Sequence, residues 1–175
     1  MNKFEMDKAR YPHAIRGRAL RFLKYFRKAQ NTNNRFLRKI YKKMTLRYRT
    51  THGLEIPDDL MVGGGLYIGH PYGITINPDA VLGENINIHK GVTIGQENRG
   101  NRKGSPTIGS FVWIGVNATI VGKITIGNDV LIAPNSYVNC DVPDHSVVYG
   151  NPCVIKFKEN ATENYINNVY KKEAN

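Results

Sequence analysis

From residue 56 onward an aliphatic side chain returns every six positions, and no other feature of the chain limits its fold so tightly. The series runs Ile56, Val62, Ile68, then Ile76, Leu82, Ile88, Ile94, then Ile108, Ile114, Ile120, Ile126, Ile132 and Val138. Gly follows many of these leaders directly, as in Ile68-Gly69, Leu82-Gly83 and Ile114-Gly115. Four positions after a leader a second small or apolar side chain recurs, at Ala80, Ile86, Val92, Val112, Ala118, Ile124 and Val130. A fixed period sustained over so long a stretch is the signature of a stacked repeat architecture. Six residues do not suit an α-helix, and the Gly, Pro and Asn content opposes one. The period does suit a short strand that turns a corner once per hexad. Three hexads then close one triangular coil, with the leader inside and Gly easing the backbone at the corner. The spacing predicts a mainly β fold, a parallel β-helix of hexapeptide repeats over residues 53–157.

Two interruptions break the period. Ile68 and Ile76 are eight residues apart, so two extra residues sit near Pro71-Tyr72-Gly73. Ile94 and Ile108 are fourteen apart, which leaves the eleven-residue loop Gln96 to Pro106 projecting from the prism. Packing gives no reason to hold out a loop rich in Arg, Lys and Gly, and binding groups usually sit on loops of a rigid scaffold. With three hexads per coil, those led by Ile68, Ile88, Ile114 and Ile132 stack on one face, successive coils being about 4.8 Å apart. His70, Lys90, Val116 and Pro134 then form a column at one edge, with His89 above Gly69 and Glu55 one coil below His70. The histidine, the carboxylate and the basic loop are expected to converge on that edge.

A carboxylate that accepts one ring N–H fixes a histidine's tautomer and raises the basicity of its other nitrogen. His70 with Glu55 therefore suits removal of a proton from an alcohol, and the same residues also suit a lone surface histidine with an incidental hydrogen bond. His89 either positions substrate or caps the corner. His13 and His145 show no matching partner. Two histidines fall short of a zinc site. Cys140 and Cys153 lie near no histidine motif, which disfavours a thiol nucleophile.

Charge separates the chain into two parts. Residues 1–50 hold 16 Lys/Arg against Glu5 and Asp7, whereas residues 51–175 hold 9 Lys/Arg and 12 Asp/Glu. The excess basicity thus belongs to the first fifty residues. There the apolar side chains follow helical spacing, Ile15, Ala19, Phe22, Leu23 and Phe26 on one helix and Leu37, Ile40, Tyr41, Met44 and Tyr48 on a second, with Asn31-Thr32-Asn33-Asn34 as the turn. Residues 1–52 are expected to form a basic amphipathic helical hairpin. Its charge is either a solvated face or a contact with an anionic membrane surface. No nucleic-acid-binding motif accompanies it. In the tail, residues 158–175, the spacing of Tyr165, Ile166, Val169 and Tyr170 predicts a short helix. No run of about 18 apolar residues and no signal segment is present, and the cysteines are few, so the expected location is cytoplasmic, with peripheral contact at the inner membrane face.

Residues 53–155 resemble the left-handed β-helix acyltransferases, most closely the serine O-acetyltransferase branch. Leu54-Glu55-Ile56-Pro57 followed by Gly63-Gly64-Gly65-Leu66-Tyr67-Ile68-Gly69-His70 is similar to that branch's D-I-H-P and D-H-x-T-G segments, without gaps. Gly91-Val92-Thr93-Ile94-Gly95 with its loop keeps the branch's spacing. Val142-Pro143-Asp144-His145-Ser146 and Gly150-Asn151-Pro152 are similar to the elements that close the helix. The resemblance implies a left-handed coil, a homotrimer with the active site between neighbouring prisms, and acetyl-CoA as donor, with no metal. It maps the catalytic histidine onto His70 and its carboxylate partner onto Glu55. Gln96, Val116, Pro134 and Lys156 would then meet the donor.

The departures from that branch concern the acceptor. An Asp precedes the branch's catalytic histidine and reads serine; this chain has Gly69. The branch's Arg-His pair before the loop proline is here Gly104-Ser105. A site without these charges leaves the ammonium and carboxylate of serine unmatched. A larger hydroxyl acceptor is expected instead, a sugar in capsule, exopolysaccharide or lipopolysaccharide synthesis, met by Gly69, His89, Arg99, Arg102, Lys103 and Ser105. Serine O-acetylation, amino-sugar N-acetylation and a non-catalytic β-helix scaffold are the alternatives, with carbonic anhydrase chemistry behind them.

Overall fold

The structure is a computed structural model that describes residues 2–12 and 17–170. Within the described residues three helices precede fifteen short strands: α1 (Lys3–Ala9), α2 (Arg18–Asn31) and α3 (Arg35–His52), then β1 (Leu54–Glu55), β2 (Met61–Val62), β3 (Tyr67–Gly69), β4 (Ile74–Ile76), β5 (Val81–Leu82), β6 (Asn87–His89), β7 (Thr93–Gly95), β8 (Thr107–Ile108), β9 (Val112–Ile114), β10 (Thr119–Val121), β11 (Thr125–Ile126), β12 (Val130–Ile132), β13 (Tyr137–Val138), β14 (Ser146–Tyr149) and β15 (Val154–Phe157).

Up to β13 every third strand pairs in parallel, and β14 and β15 then extend the third sheet, giving three sheets ordered β1-β4-β7-β10-β13, β2-β5-β8-β11 and β3-β6-β9-β12-β14-β15. We call them the first, second and third faces of a triangular prism, a β-helix as the hexads predict. Ile68, Ile88, Ile114 and Ile132 fall in register on the third face. These four leaders are buried, as are the equivalent ones on the other faces, and together they fill the prism. Full burial of such a side chain contributes about 1.5–3 kcal/mol, so the aliphatic ladder is the main apolar term holding the coils together. An antiparallel hairpin, β14 with β15, ends the third face and stops the stack from adding further strands.

The N-terminal segment differs from the expected two-helix hairpin. A third helix, α1, is capped by Asn2, whose side chain accepts from the Phe4 N–H. It docks through charge: Asp7 accepts from Arg27 Nε at 2.7 Å and from the Leu66 N–H at 2.8 Å, tying α1, α2 and the prism together. A seven-residue helix anchored by one ion pair leaves no apolar stripe to read. On α2, Ala19, Phe22, Leu23 and Phe26 are buried as expected. Ile15 and His13 lie outside the described residues. On α3 the apolar face is corrected: Leu37, Ile40 and Met44 are 39%, 41% and 41% exposed. Of that face Tyr48 packs on the core, its ring centroid 6.1 Å from that of Phe22, and polar contacts add to it, Thr45 Oγ1 donating to Asp58 at 2.8 Å and Arg49 to the Ile56 carbonyl at 2.6 Å.

Up to residue 170 the tail forms turns rather than the expected helix. Asn160, Asn164 and Asn168 all take left-handed backbone angles, which interrupts helix every fourth residue. Asp129 clamps the tail by accepting from the Ala161 and Thr162 N–H groups, both at 2.9 Å, and from Thr162 Oγ1 at 2.7 Å.

Candidate active site

At the edge between the third and first faces each regular coil turns through one left-handed residue, Gly91, Asn117 or Asn135. Their N–H groups donate down the stack to Tyr72, Lys90 and Val116 carbonyls at 3.0, 3.0 and 2.9 Å. The first coil carries the two extra residues here, and it turns twice, at His70 (φ 56) and Gly73 (φ 63). The Tyr72 N–H donates to the His70 carbonyl at 2.8 Å, closing the extra turn. A left-handed backbone is uncommon away from Gly and is kept where the surroundings hold it. Here it leaves His70 exposed on the outside of the edge. Above it stand Lys90 and Pro134, both exposed, and the half-buried Val116. The coils are tight along this line, since a Cβ on Gly115 would come within 2.6 Å of the Pro134 nitrogen.

Gly69 and His89 are direct neighbours across β3 and β6. A Cβ on Gly69 would lie 2.6 Å from His89 Nδ1 and 2.7 Å from Cε1. Gly69 is therefore the residue that makes room for the His89 ring. Burial first, and then the charge of nearby His70, push the His89 imidazole below its usual range, so it stays neutral when an exposed histidine would begin to charge. Its Nε2 is buried and has no hydrogen-bond partner among the described residues.

Glu55 lies at the same edge, one strand below Thr75, and its carboxylate accepts from Thr75 Oγ1 at 3.2 Å. Among the described residues no hydrogen bond joins it to His70, so the expected clamp on the imidazole is not made within a single subunit.

The loop requires a larger correction. It leaves the end of β7 on the first face and enters β8 on the second, whereas His70 stands between the third and first faces. Within one prism the two emerge at different edges and do not converge. The loop closes on itself, Glu97 and Gly104 exchanging backbone hydrogen bonds at 3.0 Å each, with Arg102 paired to Glu97 at 3.0 Å. Gln96, Arg99 and Lys103 are exposed, and Ser105 is turned to Asn77, donating at 2.9 Å. Lys156 lies on β15 with its ammonium 5.8 Å from the Tyr149 ring centroid.

Other expectations shift too. His145, without a partner in the sequence, has its Nδ1 2.9 Å from Asp129 Oδ2. The cysteine sulfurs are 3.6 Å apart. Burial, with the neighbouring Cys153, pushes the Cys140 thiol up, which makes it a poorer nucleophile. Among the described residues no cluster of three or more His, Cys, Asp or Glu side chains suits a metal ion.

Next to His89 lies a cleft of about 250 Å³ that sequence reasoning missed, lined by Arg10, Tyr67, Trp113, Tyr165 and Asn167 among others. Its wall is a row of rings, Tyr67 to His89 at 6.4 Å between centroids, His89 to Trp113 at 4.8 Å and Trp113 to Tyr165 at 5.1 Å, with the buried Tyr11 ring behind Tyr67 at 4.8 Å. Tyr67, Asn87 and Trp113 each stand one residue before a leader and pair across the third face. Reading that column in the sequence would have found them.

The family described as bacterial transferase hexapeptide (six repeats) matches residues 105–140. The chain is similar to the crystal structure of Neisseria gonorrhoeae serine acetyltransferase in complex with serine, with a TM-score of 0.72 and 30% identity, covering 88% of this chain and 67% of that one. Serine acetyltransferase from Brucella abortus gives a TM-score of 0.76 at 26% identity, over 91% of this chain and 70% of that one. In sequence, Helicobacter pylori serine acetyltransferase is 36% identical over 98 residues, 56% of this chain and 57% of that protein. Arabidopsis thaliana serine acetyltransferase 2 is 38% identical over 100 residues, 57% of this chain but 31% of that protein. The chain thus spans 31% and 57% of the lengths of these two relatives.

Proposed function

The chain belongs to the hexapeptide-repeat transferases, alongside the serine acetyltransferases, and on that premise we propose that it moves an acetyl group from acetyl-CoA to an alcohol hydroxyl with His70 as general base. The observation that carries this reading is His70 itself, held outward by its left-handed turn beneath the column of Lys90, Val116 and Pro134. An acceptor hydroxyl gives its proton to the imidazole as its oxygen attacks the thioester carbonyl. The tetrahedral intermediate collapses with loss of the CoA thiolate, which takes the proton back from His70. A base in that position contributes about 10²–10⁴-fold. Glu55 would orient the ring once substrate or a neighbouring subunit draws it from Thr75. The pantetheine arm would run along Val116 and Pro134, with Lys156, Arg99, Arg102 and Lys103 as phosphate contacts.

In a homotrimer the loop of one subunit would reach the His70 edge of the next, so the two edges could serve one site, with backbone N–H groups near Gln96 facing the oxyanion. Mixing His70→Ala subunits with loop-deleted subunits tests this. Each parent would be inactive, and the mixture would recover about a quarter of wild-type sites. No recovery in verified mixed trimers would refute a shared site.

Serine is the acceptor named for the relatives above, and likeness to them supports it first. A saccharide hydroxyl is the second reading, favoured by Gly69 lying against His89, where a carboxylate has no space, and by Ser105 facing Asn77. No relative reported above is named for a saccharide, so a role in capsule, exopolysaccharide or lipopolysaccharide synthesis rests on these departures alone. Thiol release from acetyl-CoA with serine, free sugars, nucleotide sugars and anionic oligosaccharides separates the two, with His70→Ala as control. Turnover that survives His70→Ala would remove the proposed base, and no turnover at all would favour a scaffold. Contact with an anionic membrane rests on α3, where Leu37, Ile40 and Met44 stand exposed on a helix rich in Lys and Arg. Co-flotation with phosphatidylserine vesicles but not phosphatidylcholine vesicles is the expected result.

A further inference from the structure

The cleft on the third face has a composition that the catalytic edge does not account for. Its wall is aromatic, with Tyr67, His89 and Trp113 from three successive coils and Tyr165 from the tail. Its floor is polar and already fixed. The Arg10 guanidinium, itself buried, donates to the Asn167 carbonyl at 2.8 Å, the Gly65 carbonyl at 2.9 Å and Asn87 Oδ1 at 2.6 Å. Asn87 in turn donates to the Tyr165 carbonyl at 3.1 Å, which fastens the tail over the cleft. Three protein oxygens therefore hold the one cation among the described residues of the lining. Among the described residues that line the cleft, the buried polar atom left without a partner is His89 Nε2. A buried polar atom of this kind normally gains a partner from ligand or water.

A ligand that fits must bring apolar C–H faces for the rings and a hydroxyl for His89. Aromatic faces carry negative charge and attract the weakly positive hydrogens of C–H bonds. A hydroxyl both donates and accepts, so it satisfies either tautomer of a neutral imidazole. Free serine has the hydroxyl but no extended C–H face, and its zwitterion would bring two charges into a lining whose described cation is engaged. A pyranose ring has both features. Gly69 joins the cleft to the edge, since it pairs with His89 and directly precedes His70.

We propose that the cleft walled by Tyr67, His89, Trp113 and Tyr165 is the acceptor subsite and takes a saccharide ring, His89 Nε2 bonding a hydroxyl beside the one that His70 deprotonates. This inference rests on the saccharide reading of the acceptor. It makes His89 a substrate-binding residue and Gly69 the residue that admits its ring.

Trp113 is the chain's single tryptophan and lines the cleft, so its emission reports occupancy without any turnover. The full chain is titrated at pH 8 with methyl glycosides of glucose, galactose, mannose and N-acetylglucosamine, and with serine. At least one glycoside is expected to give a saturable shift in the millimolar range while serine gives none. Tyr165→Ala removes a half-exposed ring from the tail and leaves the prism interior intact. It should weaken that glycoside by about three- to tenfold, with the unfolding midpoint confirming that the fold persists. His89→Ala should weaken it likewise. No saturable shift with any glycoside, a shift with serine alone, or full affinity in Tyr165→Ala each overturns the proposal. Glycosides that leave Trp113 unmoved while His70-dependent thiol release with serine persists would sink the subsite and leave acetyl transfer standing. Saturable glycoside binding with no acetyl transfer to any acceptor would do the reverse.

Discussion

Placing an aspartate at position 69 puts the meaning of the small residue there to a direct test. A Cβ at this site would lie 2.6 Å from His89 Nδ1, 2.7 Å from its Cε1 and 3.2 Å from Tyr67 Cε1. The imidazole cannot slide aside freely, because Trp113 stands 4.8 Å from its centroid. Crowding of this kind in a packed site costs about 1–3 kcal/mol. Truncating the ring should remove the obstacle, so the double variant Gly69→Asp/His89→Ala should recover most of the loss. The residues touch, and contacting pairs show coupling of about 0.5–3 kcal/mol in a double-mutant cycle. Urea unfolding of wild type, both single variants and the double variant, at one protomer concentration, gives the four free energies. The same proteins are assayed for thiol release with serine. An additive cycle, or a Gly69→Asp protein as stable as wild type, would show that His89 does not compete for the space. The glycine would then say nothing about acceptor choice.

Three further outcomes follow from the buried groups. Arg27→Met leaves Asp7 buried and unpaired, and breaking such a pair costs about 3–5 kcal/mol; Asp7→Asn/Arg27→Met should be more stable than the single variant, which chemical unfolding would show. Ile114→Ala opens a cavity in the middle of the ladder and should cost about 2–5 kcal/mol; a loss under about 1 kcal/mol would mean that the coils close over the gap. His89 titrates below its usual value of 6.5 in the folded chain, so acid charges the unfolded state first. Stability therefore falls as pH drops below about 6.5 and continues to fall until the folded imidazole itself protonates. His89→Phe should flatten that slope, and a slope unchanged in unfolding titrations would locate the effect elsewhere.

The prism was legible because each interior position repeats one physical demand, an aliphatic side chain inside a triangular coil. Thirteen leaders state that demand in one register, so no local ambiguity survives. The helices were less legible. Apolar spacing finds α2, which buries its stripe, and finds α3 as a helix, but on α3 Tyr48 packs on the core with polar contacts from Thr45 and Arg49, while Leu37, Ile40 and Met44 face outward. Amphipathic spacing specifies a helix without saying what covers it. Helix α1 and the tail are held by Asp7 and Asp129, through partners that are 20 and about 30 residues away. Such clamps leave no periodic trace. Counting hexads places His70, His89 and Glu55 on their coils, and the same count from Ile88 to Ile94 puts the loop one edge further round, so its convergence with His70 within one prism does not follow from the sequence.

The candidate chemistry gathers where the repeat fails. A regular coil spends its one left-handed position at this edge on a residue that tolerates it, Gly91, Asn117 or Asn135. Its outward side chains are then fixed in direction by the neighbouring coils. Two extra residues release the first coil from that constraint. The tolerant residue becomes Gly73, and a second left-handed turn becomes available two residues after Ile68. A side chain there is lifted out of the column while its backbone remains tied to the stack through β3 and β4. His70 occupies that turn. Deleting Pro71-Tyr72 should restore an unbroken hexad count and keep the prism folded, because the interior leaders stay in register. It should also return residue 70 to an ordinary corner and abolish His70-dependent thiol release. A deletion variant that folds and keeps wild-type turnover would show that the turn does not position the base.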